Sequence, residues 1–232
     1  HARTVSIELA AVQQTIATVK AGMAGRIVVG AGPSLAANVM PAVLQELATR
    51  SPRLQVAVVE GVVADLMGKL QVGALDLFIG TRSEKPVDRQ LTGQPLFEDV
   101  IAVVAGRAHP IHRRRKLQLA DLLEHAWALP DDENSLSAGC RRLFAAAGLP
   151  PPVPEVVTNS LLCLEGLLMG GAHLSVAPFN RRPWASEAYR PVRLDGARWS
   201  REIWLYTSAR RKPSPAALAF TEGLRQVCAR LA

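Results

Sequence analysis

The chain has 232 residues, of which 49% are hydrophobic, and its formal net charge is +7 at pH 7. A chain of this length and composition can bury one large core or two modest ones, and it contains no apolar run long enough to span a bilayer. No basic and then apolar leader opens the sequence, so we expect a cytoplasmic protein rather than a membrane or exported one. Because the first residue is His rather than Met, we also expect it to be part of a longer protein.

The first 24 residues predict a linker helix of the coiled-coil type. Their apolar residues are spaced four, three, four and three positions apart, which is the heptad spacing of a helix that pairs with another helix. These residues are Val5, Leu9, Val12, Ile16 and Val19. A helix docked on its own domain favours a wider apolar stripe, and it remains the alternative.

Residues 25–80 alternate predicted strands and helices. Strands are predicted at 26–30, 54–60 and 75–80, with a helix from Ser34 to about Arg50 and another between Val63 and Gly73. Alternating elements of this length predict a parallel sheet covered on both faces. Ligands of such sheets bind at the carboxyl ends of the strands, beside helix N-termini, so the segment predicts small-molecule binding.

A series of short motifs runs in a fixed order along the chain. The motifs are Gly25–Gly30, Met40-Pro41, Ser51-Pro52, Val59–Gly61, Gly73–Leu77, Pro95–Phe97, Val103-Val104 and His109-Pro110. This series resembles the effector-binding domain of LysR-type transcriptional regulators over nearly the whole chain. The segments Ala145–Pro150 and Thr158–Leu162 are similar to the subgroup that regulates uptake and catabolism of aromatic acids or sugars.

The resemblance implies an α/β fold of two Rossmann-like lobes joined by two crossover strands, like the type 2 periplasmic binding proteins. Residues 25–101 and 202–232 would form lobe I, and residues 102–201 would form lobe II. It also implies a homodimer or homotetramer that binds promoter DNA through a helix-turn-helix absent from this chain. In the implied dimer, the helix near residues 40–50 packs against the helix near residues 62–72 of the other subunit.

The rest of the chain predicts a second α/β unit and a return to the first. Strands are predicted at 98–104, 126–129, 155–158, 174–178 and 201–207. Helices are predicted near residues 117–123, from the polar loop 130–135 to Gly148, from Asn159 or Ser160 to Gly170, and from Ser214 to the end. Asn159, Ser160 and Ser214 are of the residue types that cap helices.

Eight residues are predicted to bind a small, anionic effector in the cleft between the lobes. Helix N-termini near Ser34, Ser135 and Asn159-Ser160 would offer unpaired N–H groups and partial positive charge. Thr81 and Arg82 would add a hydroxyl and a cation able to pair with a carboxylate. Plain capping of helices and an exposed loop charge remain the alternative roles. The eight residues are Pro33, Ser34, Thr81, Arg82, Ser135, Asn159, Ser160 and Pro178.

No catalytic site, metal site or cofactor is predicted. The candidate cleft has neither a His nor a pair of carboxylates, and the consecutive acids Asp131, Asp132 and Glu133 indicate a solvated loop. The three cysteines are interpreted as buried, reduced thiols. A secreted solute-binding protein of the same fold is the alternative function, but it would need an export leader and would lack the heptad helix.

The basic run Arg113–Lys116 accounts for part of the net charge. It predicts a solvated loop. A contact with the phosphate backbone of a nucleic acid is the alternative.

Overall fold

The computed structural model describes residues 25–83, 88–131, 135–179, 188–194 and 196–230. The predicted coiled-coil helix of residues 1–24 therefore lies outside the described residues. The described chain divides into two compact units. The first unit contains the residues up to Phe97 and Ile203–Arg230, and the second contains Glu98–Glu202. None of the described helices has the length and apolar character needed to cross a membrane.

The described residues form nine strands, six α-helices and two short 3-10 helices. The strands are β1 (Gly25–Ala31), β2 (Leu54–Glu60), β3 (Leu77–Thr81), β4 (Leu91–Gly106), β5 (Ala126–Leu129), β6 (Val156–Val157), β7 (His173–Pro178), β8 (Tyr189–Pro191) and β9 (Arg198–Ser208). The α-helices are α1 (Pro33–Asn38), α2 (Met40–Arg50), α3 (Val63–Gln71), α4 (Ser135–Ala146), α5 (Leu161–Met169) and α6 (Pro215–Ala229). The 3-10 helices are Pro110–Arg113 and Leu119–Glu124.

The first unit is a sheet in which β1 lies between β2 and β3 and runs parallel to both. β9 pairs antiparallel with β3, from Leu77 opposite Thr207 to Thr81 opposite Ile203. Alternate residues of a strand point to opposite faces, and Ile27 and Val29 of β1 are both fully buried. Crossover connections through helices cover the parallel strands, as the alternating pattern predicts.

The helix predicted from Ser34 to Arg50 is two helices, and Ser34 is not its N-cap. The N-cap of α1 is Gly32, and Ser34 is its second residue. Pro33 explains the earlier start. The N–H groups in the first turn of a helix have no partner within the helix, so a proline, which has no N–H, fits there at no cost in hydrogen bonds. Pro41 in the first turn of α2 cannot donate to the carbonyl four residues before it, so the chain restarts as a new helix after Val39.

The second unit is a mixed sheet around its own core. β7 pairs antiparallel with β4 and parallel with β5, and β6 pairs parallel with β5. Trp127 is the largest fully buried side chain, and its indole N–H donates to the Leu122 carbonyl at 2.8 Å. Its ring meets that of Phe144 edge to face, with centroids 5.9 Å apart. A satisfied indole N–H removes the cost of burying the one polar atom of tryptophan.

The end of β4 packs directly on the backbone of α5. A Cβ atom built on Gly106 would lie 1.8 Å from the carbonyl oxygen of Leu168. Real Cβ atoms are not found so close to another heavy atom, so this position requires glycine. The contact fixes the C-terminal end of α5 on the sheet of the second unit.

Candidate functional site

Four of the eight predicted residues lie at the carboxyl edge of the parallel strands in the first unit. Pro33 and Ser34 follow β1, and Thr81 and Arg82 stand at and after the end of β3. The Gly32 N–H donates to the Ile79 carbonyl at 3.3 Å, which links the two strand ends. Ser34 is 8% exposed, whereas the Arg82 side chain is exposed. The structure therefore brings these four residues together.

Two aromatic residues of β9 hold the segment around Arg82. The Tyr206 hydroxyl donates to the Thr81 carbonyl at 3.0 Å and accepts from the Ser83 N–H at 2.9 Å. The guanidinium carbon of Arg82 lies 5.4 Å from the ring centroid of Trp204, within the range of a cation–π contact. Tyr206 is fully buried and stacks on Phe78 at 4.5 Å, so its hydroxyl is a fixed anchor. Arg82 is thus held at both backbone neighbours and at its side chain.

The other four predicted residues lie at the corresponding edge of the second unit. Ser135 begins α4, Asn159 and Ser160 precede α5, and Pro178 ends β7. The Ser160 hydroxyl accepts from the Cys163 N–H at 3.3 Å, so Ser160 is the N-cap of α5. This is the capping role that the sequence left open between Asn159 and Ser160.

The neighbouring acid Asp131, predicted to lie in a solvated loop, is less exposed than that prediction implies. It is half-buried, and its Oδ2 accepts a hydrogen bond from Asn159 Nδ2. Its Oδ1 is buried without a hydrogen-bond partner among the described residues. Asp132 and Glu133 lie outside those residues. A buried carboxylate oxygen without a partner is costly, and a ligand or water that donates a hydrogen bond would relieve this cost.

Arg201 is a cation at this site that the sequence analysis did not identify. Its Nε and one terminal nitrogen donate to Asp99 Oδ2 at 3.1 and 2.8 Å, and its other terminal nitrogen donates to Ser135 Oγ at 3.2 Å. The side chain of Asp99 is 0% exposed and that of Arg201 is 11% exposed. Because Arg201 occupies the Ser135 oxygen as an acceptor, the hydroxyl proton of Ser135 is available to donate to an acceptor atom.

Four of the five histidines of the chain lie in the second unit near one another. The rings of His109 and His125 meet edge to face with centroids 5.2 Å apart. Burial lowers the pKa of His109 below its usual value, and the nearby charges of His125, His112 and His173 lower it further. Burial also lowers the pKa of His112, and Arg190 and Arg193 act in the same direction. In the described part of the chain, no group of three or more His, Cys, Asp and Glu side chains is placed to hold a metal ion.

The lowered pKa values of His109 and His112 predict that acid destabilises the protein. When the folded pKa of a histidine lies below its ordinary value of 6.5, the unfolded chain binds more protons as the pH falls. The free energy of unfolding should therefore be greatest above about pH 6.5 and fall as the pH is lowered from there. Urea unfolding measured at a series of pH values tests this. The variant His109→Asn should show a shallower fall below about pH 6.5 than the wild type, and an unchanged slope would contradict the assignment.

The three cysteines are in different surroundings. Cys140 and Cys228 are buried, whereas Cys163 on α5 is exposed, so the prediction that all three are buried is wrong for Cys163. Burial raises the pKa of Cys140 to about 12, which makes it an unreactive thiol. None of the three forms a disulfide.

The contacts that were not predicted from the sequence are hydrogen bonds and ion pairs between residues that are distant in the chain. Asp99 and Arg201 are 102 positions apart, and Tyr206 and Thr81 are 125 apart. One sequence signal was available for the aromatic pair. Trp204 and Tyr206 alternate on a predicted strand of a chain with only 5% aromatic residues, which places both on one face of that strand.

The family model described as the LysR substrate binding domain matches residues 20–229. Among curated proteins, the chain is 27% identical over 224 residues to the HTH-type transcriptional regulator GalR of Pseudomonas putida KT2440, covering 95% of this chain and 56% of that protein. It is 27% identical over 182 residues to the HTH-type transcriptional regulator GbpR of Azospirillum brasilense, and the match covers 78% of this chain and 53% of that protein. The chain thus spans about half the length of the curated relatives it matches.

Solved structures with the same fold include ligand and DNA complexes. The effector binding domain of QuiR in complex with shikimate has a TM-score of 0.72 and 18% identity, covering 89% of this chain and 98% of that one. The regulatory domain of CcmR from Synechocystis PCC6803 in complex with 2-PG has a TM-score of 0.71 and 18% identity, covering 88% and 97%. Full-length CbnR complexed with its target DNA has a TM-score of 0.71 and 19% identity, covering 97% and 77%.

Proposed function

The chain belongs to the LysR substrate-binding-domain family, and on this basis we propose that it is the effector-sensing domain of a bacterial, cytoplasmic transcriptional regulator. The observation that carries the proposal is the family match, which runs from residue 20 to residue 229. The prediction that the chain is not an enzyme is confirmed, since this family is a regulatory domain and the curated relatives are transcriptional regulators. DNA binding is proposed for the whole protein, through a segment outside this chain.

The proposed effector is a small organic acid or a sugar-like molecule, and it is held between the two lobes. Support comes from each unit by itself, because each presents hydroxyl groups and N–H groups at the carboxyl edge of its parallel strands. Arg82 in the first unit supplies a positive charge that would suit a carboxylate. The relatives are consistent with a small ligand, since two structural neighbours are complexes with shikimate and 2-PG.

The proposed switch depends on a difference in affinity between two states. A ligand that touches residues of both lobes stabilises the arrangement in which both can reach it. A ligand with equal affinity for both arrangements would shift nothing. In a homodimer or homotetramer, such a change would alter the spacing of the DNA-binding segments.

The proposed dimer pairs the helix near residues 40–50 of one subunit with the helix near residues 62–72 of the other. Sedimentation of the chain tests this dimer. A chain that remains a monomer at high micromolar concentration would contradict it.

A thermal-shift screen of the chain against small organic acids and sugars is the first experiment. A ligand present at 100 times its dissociation constant adds about 2.7 kcal/mol to the free energy of unfolding, which is a readily measured shift. A screen in which no compound of either class raises the melting temperature would argue against a sensing role.

The second experiment locates the site with two substitutions, Ser34→Ala and Arg82→Ala. Each should weaken the binding of a ligand found in the screen by roughly tenfold or more, because each removes a hydrogen bond or a charge from the proposed contacts. Ser34→Ala should not remove a helix cap, because Gly32 is the cap. Ser214→Ala is the matched control. The hydroxyl of Ser214 caps α6 by accepting a hydrogen bond from the Ala217 N–H. Removing it should cost about 1 kcal/mol of stability without changing the affinity for the ligand. Wild-type affinity in both test variants would place the site elsewhere.

A further inference from the structure

Half of the eight residues that line a wide cavity in the second unit are cations. The volume of this cavity is about 870 Å3. The residues that line it come from two segments, 115–121 and 193–198, so side chains more than 70 positions apart converge on one concave surface. Four of its lining side chains are positively charged: Arg115, Lys116, Arg193 and Arg198. None of the eight residues proposed for the effector lines this cavity.

The cations of the cavity outnumber the carboxylates of the two segments that line it. Among the residues that the structure describes, none of the four cations forms an ion pair with a carboxylate, whereas their neighbour Arg114 pairs with Glu124 at 3.8 Å. The one acidic lining residue, Asp121, already accepts a hydrogen bond from the Gln118 N–H at 2.8 Å. The sequence places Asp195, which lies outside the described residues, between two of the cations. Even with it, the two segments hold four cations and two carboxylates.

The backbone that carries the cations is fixed by the core of the second unit. Leu117 and Leu194, one from each segment, line the cavity and pack against the main core cluster of that unit. The guanidinium carbon of Arg198 lies 4.8 Å from the ring centroid of Phe179. Each wall of the cavity is thus anchored on the core by a leucine, and Arg198 is also held against an aromatic ring.

We propose that this cavity is a second ligand site, which takes a compact polyanion with at least two phosphate or carboxylate groups. The planar guanidinium of arginine matches the oxygen atoms of phosphate and carboxylate with paired hydrogen bonds, and three of the four cations are arginines. The volume falls in the range of about 300–1,000 Å3 that is usual for small-molecule sites. Four cations and two carboxylates give the two segments a net charge of +2, which a ligand with two anionic groups would balance and a monoanion would not. The concave shape favours a compact ligand over the backbone of a nucleic acid.

The site goes beyond the proposed effector function because it would let one domain respond to two compounds. Its residues belong to a single unit, so its affinity does not require the residues proposed for the effector. The basic run, predicted as a solvated loop, would thus be one wall of a binding site.

The probe is sodium tripolyphosphate, titrated calorimetrically into the whole chain. The double variant Arg115→Gln with Arg193→Gln removes one cation from each wall, and we expect it to bind at least about tenfold more weakly. The matched control, Arg26→Gln with Arg210→Gln, removes two exposed cations from the first unit and should stay within about twofold of the wild type. A second cavity pair, Lys116→Gln with Arg198→Gln, should reproduce the loss. Because the side chains exchanged in the first cavity pair and in the control are exposed, the unfolding curves of these two variants without the probe should match that of the wild type.

Three results would overturn the proposal. One is the absence of measurable binding to the wild type. Another is an equal loss in the cavity variants and the control, because the probe would then respond only to net charge. The third result concerns a DNA duplex of arbitrary sequence. If the duplex binds more tightly than tripolyphosphate, displaces it, and no longer binds to the cavity variants, the surface is a nucleic-acid contact.

Discussion

The variant Gly106→Ala is expected to lose about 3 kcal/mol or more of the free energy of unfolding, which is a large effect for one methyl group. The new Cβ would lie 1.8 Å from the Leu168 carbonyl oxygen and 2.8 Å from its carbon. Both atoms belong to the backbone of α5, so they cannot move aside by changing a rotamer. Either the helix or β4 must shift, and the core between them loses contacts. Urea unfolding followed by circular dichroism measures the change.

Gly166→Ala, in the helix α5 on which Gly106 packs, is the matched control. A Cβ built at Gly166 meets nothing within 4 Å. Alanine is favoured over glycine within a helix by about 1 kcal/mol, so this variant should be neutral or more stable than the wild type. If Gly106→Ala were as stable as Gly166→Ala, the close packing of β4 on α5 would be wrong.

Removing the carboxylate of Asp99 should destabilise the protein by about 3–5 kcal/mol. The Asp99→Ala variant would remove a fully buried carboxylate that accepts from the guanidinium of Arg201 at 2.8 Å, and that guanidinium is itself only 11% exposed. Removing one member of a buried ion pair costs far more than the loss of an ordinary hydrogen bond. The free energy of unfolding in urea measures this directly. Because Arg201 also donates to Ser135, ligand affinity should fall in the same variant if Ser135 contacts the effector.

An exposed ion pair and a double variant provide the controls. Glu222→Ala breaks a pair with Arg50 at 3.4 Å, whose side chains are 66% and 43% exposed, and should cost less than about 1 kcal/mol. The double variant Asp99→Ala with Arg201→Ala should lose less than the sum of the two single variants, since their shared interaction can be lost only once. Additive losses would mean that the two side chains do not depend on each other.

Local sequence patterns were sufficient for the family and for most of the elements. The ordered motifs predicted the LysR effector-binding family and its α/β fold, and the family model and the solved structures confirm both. Alternation in β1 and the helical spacing between Val63 and Gly73 are properties of neighbouring residues, so they can be read from one sequence. The cap of α1 was predicted wrongly, because the preference of Ser34 for a capping position was outweighed by Pro33, which fits the first turn.

Contacts between distant residues could not be predicted in this way. The ion pair of Asp99 with Arg201 forms only when β4 and β9 have folded, and no local spacing indicates it. The same holds for Tyr206, whose hydroxyl fixes the backbone on both sides of Arg82, and for the histidines around His109. The positions of the eight predicted site residues followed from strand ends and helix starts, whereas the groups that hold Arg82 and Ser135 came from other parts of the chain.

The uneven exposure of the three cysteines has a practical consequence. Cys140 and Cys228 are buried and Cys163 is exposed, so a maleimide dye should attach at one position without any engineering of the sequence. That position is three residues after Ser160, whose hydroxyl caps the same helix. A fluorophore there would sit beside one edge of the proposed effector site. The native chain therefore carries an attachment point for an optical reporter, and changes in its emission could follow effector binding in real time.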